Sequence, residues 1–208
     1  FKVNCFVKNS EFFKKLKKNK ILFPKLIKKN SLKQTLIKNF KSFGSQNVKK
    51  LKNKNYNLKK NEYFQELIDG KRISVQFISK IRQLRIISVC DQVLKKKTFF
   101  IDYLITKRLP KKKKNQIYTL VKKIVKIFNL KGINNIDIID KKNKLYLIEI
   151  NSRPGLSSNI IYKTNKSPFI QHKKNLQNNL LATKIIYSSK QITINKKIIK
   201  FFKEYCNC

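Results

Sequence analysis

Apolar residues recur with the spacing of amphipathic helices in two parts of the chain. Residues 10–20 place three apolar side chains on one face, behind Ser10, whose hydroxyl can cap the first turn. Residues 111–130 place six apolar side chains on one face, which is the clearest helical pattern in the sequence. We therefore expect helices over both segments, and we expect Gly132 to end the second one.

Elsewhere, apolar and polar residues alternate over short runs, which is the pattern of half-buried β-strands. The dipeptide Asp69-Gly70, between two such runs, is a strong turn signal. The pattern predicts strands over residues 35–38, 63–68, 73–79, 84–90, 98–105, 136–139, 145–150 and 184–194, and a further helix over 168–182. The predicted fold class is therefore α+β with antiparallel sheets.

The composition narrows the class of protein. A chain of 208 residues that is 41% hydrophobic can bury a core in one or two domains. No apolar run reaches the ~18 residues that a membrane-spanning helix requires, so we expect no membrane partner. The four cysteines show neither CxxC nor zinc-ligand spacing, which argues against a disulfide or zinc scaffold. The chain starts at Phe1 and contains no Met, so we expect a fragment or a processed start.

The net charge of +41 indicates attraction to polyanions such as ribosomal RNA through counterion release. Only five of the 51 basic residues are arginines, whereas a nucleic-acid reader has reason to keep arginine for bidentate base contacts. The abundant residues are those that AT-rich codons encode. We therefore attribute most of the charge to an AT-rich genome and expect only non-specific nucleic-acid binding. A basic RNA-binding protein of ribosomal type is the alternative.

The segment 145–154 carries the most specific chemistry. A strand period of two puts Glu149 and Asn151 on one face, together with Arg153 if the chain stays extended. A carboxylate and an amide oxygen on alternate residues can bind a hard cation such as Mg²⁺, and the arginine fork can bind phosphate or carboxylate. The alternative interpretation is a solvated strand end with stray charges.

The metal assignment requires a particular hairpin. Asp137 lies on the preceding strand, and it can share a cation with Glu149 only if the two lie opposite each other on one face. That register needs a turn with an odd number of residues, so we expect a three-residue loop centred on Asn143. We also expect the two carboxylates to face Lys38 across a cleft.

Two upstream segments add nucleotide chemistry. Lys38 ends a predicted strand and precedes a polar loop around Gly44 and Ser45, whose backbone N–H groups can bind phosphate. Residues 63–70 form an apolar strand whose free backbone edge can offer adenine an acceptor and a donor. Taken singly, each segment is also compatible with an ordinary loop or hairpin.

In this order, the three segments resemble the ATP-grasp superfamily of carboxylate–amine ligases. The family pattern is a Lys-ended strand with a Gly-rich loop, then a hinge, then an acid followed by Glu-x-Asn-x-Arg. The resemblance covers about residues 10–190 and implies two small α/β subdomains whose antiparallel sheets enclose a nucleotide cleft. It implies ATP binding by Lys38, Gly44, Ser45, Gln65, Glu66 and Leu67, metal binding by Asp137, Glu149 and Asn151, and catalysis by Lys38 and Arg153.

The resemblance further implies a cytoplasmic, ATP-dependent ligase that joins a small-molecule carboxylate to an amine or a thiol through an acylphosphate, with Mg²⁺ or Mn²⁺. It divides the chain into subdomains at 1–68 and 69–195, followed by a tail at 196–208. Three features depart from the pattern. The loop at Gly44 has few glycines, Arg72 stands where some relatives carry a ribose-binding glutamate, and the usual N-terminal domain is missing. A relic that binds nucleotide without turnover is therefore a third interpretation.

Overall fold

The computed structural model describes residues 10–27, 34–40, 47–53, 55–106, 108–158 and 182–184. Within these residues the chain forms, in order, α1 (Ser10–Lys18), β1 (Leu26–Ile27), β2 (Thr35–Asn39), β3 (Lys49–Lys50), β4 (Glu62–Glu66), β5 (Lys71–Lys80), β6 (Gln83–Leu94), β7 (Ile101–Thr106), α2 (Lys111–Phe128), β8 (Gly132–Lys141), β9 (Lys144–Asn151) and β10 (Ala182–Lys184). The strands pair antiparallel in a four-stranded sheet of order β1-β4-β2-β3 and a six-stranded sheet of order β10-β7-β6-β5-β8-β9. The predicted α+β class is confirmed.

The main core lies between the six-stranded sheet and α2. One face of α2 is fully buried through Ile117, Val121 and Ile124, at the helical spacing that the sequence shows. These side chains belong to the same buried cluster as Phe77 of β5 and Ile136 of β8. Full burial of one such side chain stabilises the fold by roughly 1.5–3 kcal/mol. This layer therefore fixes which face of the central strands packs on α2 and which face points away from it.

Helix α1 connects the two sheets. The ring centroid of Phe12 lies 5.4 Å from that of Phe128 in α2, and the centroid of Phe13 lies 5.9 Å from that of Tyr63 in β4. The segment after α1 adds a backbone hydrogen bond, because the N–H of Leu147 in β9 donates to the Leu22 carbonyl. These contacts hold the four-stranded sheet against the six-stranded one.

The four-stranded sheet has a much smaller core of its own. Ile37, Leu51 and Phe64 form a separate buried cluster. Alternation along β2 puts Lys38 on the other face, directly opposite Tyr63 of β4. The sheet therefore turns one face to this small cluster and the face that carries Lys38 to the six-stranded sheet.

Most predicted elements are confirmed. The short strands β1 and β3 have no counterpart in the sequence prediction, and the other differences among the elements before residue 152 lie at their ends. The strand predicted from residue 98 begins at Ile101, because Thr98 closes a turn through its N–H and its hydroxyl, which both donate to the Lys95 carbonyl. The prediction that Gly132 ends the second helix is wrong. Asn129 adopts the left-handed conformation there, with φ 49°, and Gly132 begins β8.

The C-terminal elements lie largely outside the described residues. Of the predicted helix over 168–182 and the predicted strand over 184–194, the structure describes only β10, which is a strand and therefore contradicts the helix at residue 182. Among the described helices, none has the length and apolar character to cross a membrane. The chain passes from one sheet to the other between Glu66 and Lys71, and the division into subdomains at residues 68 and 69 stays a prediction.

Candidate active site

A cleft between the two sheets collects residues from both of them and from the link between them. The space between its walls, counting the part that is open to solvent, is about 600 Å³. Its lining consists of Pro24, Leu36, Lys38, Asn39, Val48, Tyr63, Glu66, Leu67, Ile68, Arg72, Phe99, Ile139, Ile148 and Glu149. Lys38 and Glu149 therefore line one cleft from opposite walls.

The predicted metal-binding residues lie on the hairpin of β8 and β9. Asp137 is opposite Glu149, and Asn135 is opposite Asn151, so the four side chains share one face of the sheet. Ile136, between the two β8 residues, is fully buried in the helix-side core. Carboxylate and amide oxygens are the ligands that a hard divalent cation prefers. The chemistry of this donor set therefore fits Mg²⁺ or Mn²⁺.

The turn of this hairpin differs from the prediction of a three-residue loop. It holds two residues, Lys142 and Asn143, which both have positive φ, 48° and 64°. A two-residue turn alone would pair Asp137 with Ile148. A β-bulge at Ile148 shifts the register by one residue, and Asp137 meets Glu149. The bulge also lets Ile148 and Glu149, although consecutive, both line the cleft.

Side-chain amides hold the Asp137 carboxylate. Its Oδ1 accepts hydrogen bonds from Gln92 Nε2 at 2.7 Å and from Asn135 Nδ2 at 3.2 Å. The Ser74 hydroxyl donates to Asn135 Oδ1 at 2.9 Å, which fixes the orientation of that amide. Donors of this kind orient a metal-binding carboxylate. From the sequence, Gln92 follows a strand and can point at the cleft, but neither Gln92 nor Asn135 receives a role in the predicted site, although the alternation from Asp137 places Asn135 on the same face.

The structure describes no group of three or more His, Cys, Asp or Glu residues that could hold a metal ion. A cation at Asp137 and Glu149 would therefore take its further protein ligand from an amide. Asn151, two residues after Glu149 on the same face, supplies such an oxygen. The metal roles of these three residues stay predictions.

Arg153 lies beyond β9 in an exposed loop. Its Nη1 donates to the Pro154 carbonyl at 3.2 Å, and its side chain is not among those that line the cleft. Gly155, in the same loop, approaches the sheet closely, because a Cβ at that position would lie 2.6 Å from Asn135 Oδ1. Arg153 therefore lies close to Glu149 in the sequence, but its guanidinium points toward its own loop.

Gln76 binds the loop 152–158 to the cleft-facing side of β5 through hydrogen bonds. Its side-chain oxygen Oε1 accepts hydrogen bonds from the Gly155 N–H at 3.1 Å, the Ser157 hydroxyl at 3.0 Å and the Ser158 hydroxyl at 3.1 Å. Gln76 is fully buried. The sequence analysis did not identify this residue, and only the alternation along β5 indicates that it faces the cleft side.

The predicted adenine hinge lies at the end of β4. Gln65 and Glu66 belong to that strand, which lies between β1 and β2, and Glu66 and Leu67 line the cleft. The Glu66 N–H donates to the Lys25 carbonyl, and the Leu67 N–H donates to the Gln34 carbonyl. The expectation of a free backbone edge is therefore wrong for the part of the hinge that ends at the Leu67 N–H, because β4 is an inner strand of its sheet.

The buried hydroxyl of Tyr63, on the four-stranded sheet, responds to the charge of the opposite wall. Burial raises the pKa of the Tyr63 hydroxyl, and the negative charge of Glu149 raises it further. The Tyr63 ring is held by stacking on Phe40, with 4.4 Å between the centroids. Lys38, opposite Tyr63, has 8% of its surface exposed.

Gly44 and Ser45, the predicted phosphate loop, lie outside the described residues.

A family model described as the ATP-grasp domain matches residues 8–157. No curated protein matches the chain. Three similar solved structures are an L-amino acid ligase from Bacillus licheniformis (18% identity, TM-score 0.61, covering 76% of this chain and 43% of that one), biotin carboxylase from Campylobacter jejuni in a complex with β-γ-ATP (13%, 0.63, 78% and 44%), and N5-carboxyaminoimidazole ribonucleotide synthetase from Thermotoga maritima (20%, 0.57, 73% and 43%). The chain spans less than half the length of each.

Proposed function

The chain belongs to the ATP-grasp family, and we propose that it binds ATP with a divalent cation in the cleft and joins a carboxylate to an amine or a thiol. The observation that carries the proposal is the pairing of Asp137 with Glu149 on the cleft side, across from Lys38. Oxygen ligands on one wall and a cation on the other are what the phosphates of a metal-bound nucleotide require.

The residues of the six-stranded sheet serve the metal end of the nucleotide. Asp137, Glu149 and Asn151 bind Mg²⁺ or Mn²⁺, which neutralises phosphate charge when bound. Gln92 and Asn135 keep the Asp137 carboxylate in position through the hydrogen bonds to its Oδ1.

The four-stranded sheet and the link serve the other end of the nucleotide. Lys38 binds phosphate oxygens as a point charge, and the loop at Gly44 and Ser45 covers them. Gln65, Glu66 and Leu67 form the adenine hinge. Because the Leu67 N–H already donates to the Gln34 carbonyl, adenine takes this donor only if that bond opens.

The proposed reaction has two steps. A carboxylate oxygen attacks the γ-phosphorus of ATP, the bond from phosphorus to the bridging oxygen of ADP breaks, and an acylphosphate forms. The amine or thiol then attacks the acyl carbon, loses its proton and displaces phosphate. Arg153 binds the transferred phosphoryl group or the substrate carboxylate, for which its side chain turns away from the Pro154 carbonyl.

Hydroxylamine tests the proposal, because it converts acylphosphates to stable hydroxamates. The chain is incubated with Mg-ATP, hydroxylamine and pools of carboxylic acids, and hydroxamate and ADP are measured. We expect equal amounts of the two products with at least one pool. Glu149→Gln, which keeps the shape of the side chain, removes both products. Glu11→Gln, exposed on α1, leaves both unchanged and is the matched control.

Four outcomes contradict the proposal in different ways. ADP that forms without hydroxamate in every pool, or yields that Glu149→Gln does not change, contradict the ligase reaction. Binding of Mg-ATP with neither product indicates a nucleotide-binding relic without turnover. Binding of RNA in preference to Mg-ATP favours a basic RNA-binding protein.

A further inference from the structure

Arg72 is a charged residue of the cleft to which the proposed function gives no role. It is the second residue of β5, on the same face as Ser74 and Gln76, and it lines the cleft. The central carbon of its guanidinium lies 5.5 Å from the centroid of the Phe99 ring, which also lines the cleft. This distance is that of a cation–π contact, which fixes the plane of the guanidinium.

The guanidinium of Arg72 has N–H donors that a ligand could use. It carries five N–H groups, and none of them donates to another residue of the part of the chain that the structure describes. Half-buried donors without acceptors are costly unless a ligand or water supplies the acceptor. Burial lowers the pKa of Arg72 and the nearby Asp137 carboxylate acts in the opposite direction, so the group stays charged at neutral pH.

The position of Arg72 lies between the hinge and the paired carboxylates. It follows Gly70 by two residues, and it is opposite Ile139 of β8. Ile139 is two residues along the strand from Asp137 on the same face, which corresponds to roughly 7 Å. A nucleotide with its base at Leu67 and its last phosphates at Asp137 therefore passes beside Arg72.

We propose that Arg72 binds a phosphate group of the nucleotide, as a second cation beside Lys38, and makes the cleft select nucleotides over nucleosides. The inference rests on the proposed function, because it requires a nucleotide in this cleft. The planar fork of arginine matches two phosphate oxygens, and the contact with Phe99 holds that fork in place.

Calorimetric titration of the wild-type chain and three variants with four ligands tests this assignment. The wild-type chain, Arg72→Gln, Arg72→Lys and Arg82→Gln are titrated with ATP, ADP, AMP and adenosine, each with Mg²⁺ at ~150 mM salt. We expect Arg72→Gln to weaken ATP binding by about tenfold to a hundredfold, with adenosine affinity unchanged. Arg72→Lys recovers part of the loss, because it keeps the charge without the fork. Arg82→Gln, in the exposed turn before β6, matches the wild type.

The adenosine titration shows whether the cleft of each variant is intact, so a folding defect is not mistaken for a lost phosphate contact. Equal losses for adenosine and ATP, or no loss for any nucleotide, overturn the role of Arg72 while the proposed function stands. A wild-type chain that prefers inorganic triphosphate to Mg-ATP overturns the proposed function, and the inference with it.

Discussion

The two sheets that form the cleft are supported very differently. The six-stranded sheet packs on both helices through a continuous core that includes Phe77 and Val121, both with 0% exposure. Among the residues that the structure describes, the separate cluster of the four-stranded sheet has three buried members, Ile37, Leu51 and Phe64, while Tyr63 on its other face belongs to the large core. Asp137 and Glu149 thus lie on the wall with the larger core, and Lys38 lies on the wall with the smaller core.

This difference separates two tasks of a binding cleft. Metal ligands must keep a fixed geometry, so they benefit from strands whose register a large core holds. A wall with a small core opens at a lower free-energy cost than a wall with a large one. The comparison predicts that the same kind of substitution has unequal effects on the two walls.

The largest effect is expected from the central phenylalanines. Phe77→Ala removes a fully buried ring from the large core and lowers the free energy of unfolding by about 4–5 kcal/mol. Phe64→Ala costs about 3 kcal/mol, because its cluster is small and its partly exposed neighbours Ile27 and Tyr56 can close over the gap. Urea unfolding of both variants measures the difference, and equal losses would remove the asymmetry between the walls.

A smaller effect concerns the loop that the large sheet carries. Gln76→Ala leaves the Gly155 N–H and the hydroxyls of Ser157 and Ser158 without their common acceptor, and lowers the free energy of unfolding by about 2–3 kcal/mol. Limited proteolysis then cleaves the loop 152–158 faster. Gln83→Ala, exposed at the start of β6, is the control and changes neither measurement. A loop that stays protected in Gln76→Ala contradicts the anchoring role.

The smallest effect is a pH dependence of the large sheet. Burial raises the pKa of the Cys90 thiol to about 12, so the folded chain keeps it neutral where the unfolded chain ionises it. Its contribution to stability is complete below the ordinary thiol pKa and is lost as pH rises toward 12. From about pH 8 to about pH 10, wild-type unfolding free energy falls by about 1–2 kcal/mol more than that of Cys90→Ala. Parallel curves for the two proteins contradict the shift.

The sequence predicts which residues of β8 and β9 lie opposite each other better than it predicts the turn and the bulge that produce this register. Period-two alternation and the need for two carboxylates on one face indicate that Asp137 is opposite Glu149, and the structure has that pair. The turn prediction failed because Lys142 carries no signal for the positive φ that it adopts. The bulge at Ile148, which corrects the register, depends on packing across the sheet and leaves no local pattern.

Contacts between distant segments also escape a local pattern. Gln76 and the serine hydroxyls that it binds are about 80 residues apart in sequence, and only the fold brings them together. The same holds for the bond from Leu67 to Gln34, which occupies the backbone edge that the sequence analysis expected to be free. What the sequence does predict well is each strand and helix with strong periodicity, such as α2.

The most direct test of a metal-dependent nucleotide cleft is the thermal unfolding of the wild-type chain and Glu149→Gln with Mg-ATP. At 100 times its dissociation constant, a specific ligand adds about 2.7 kcal/mol, which raises the melting temperature of the wild type by roughly 5–10 °C. Because the charge of +41 attracts any polyanion, inorganic polyphosphate at ~150 mM salt is the control. We expect a shift with Mg-ATP that exceeds the polyphosphate shift and disappears in Glu149→Gln. Equal shifts for both ligands, unchanged in the variant, would contradict it.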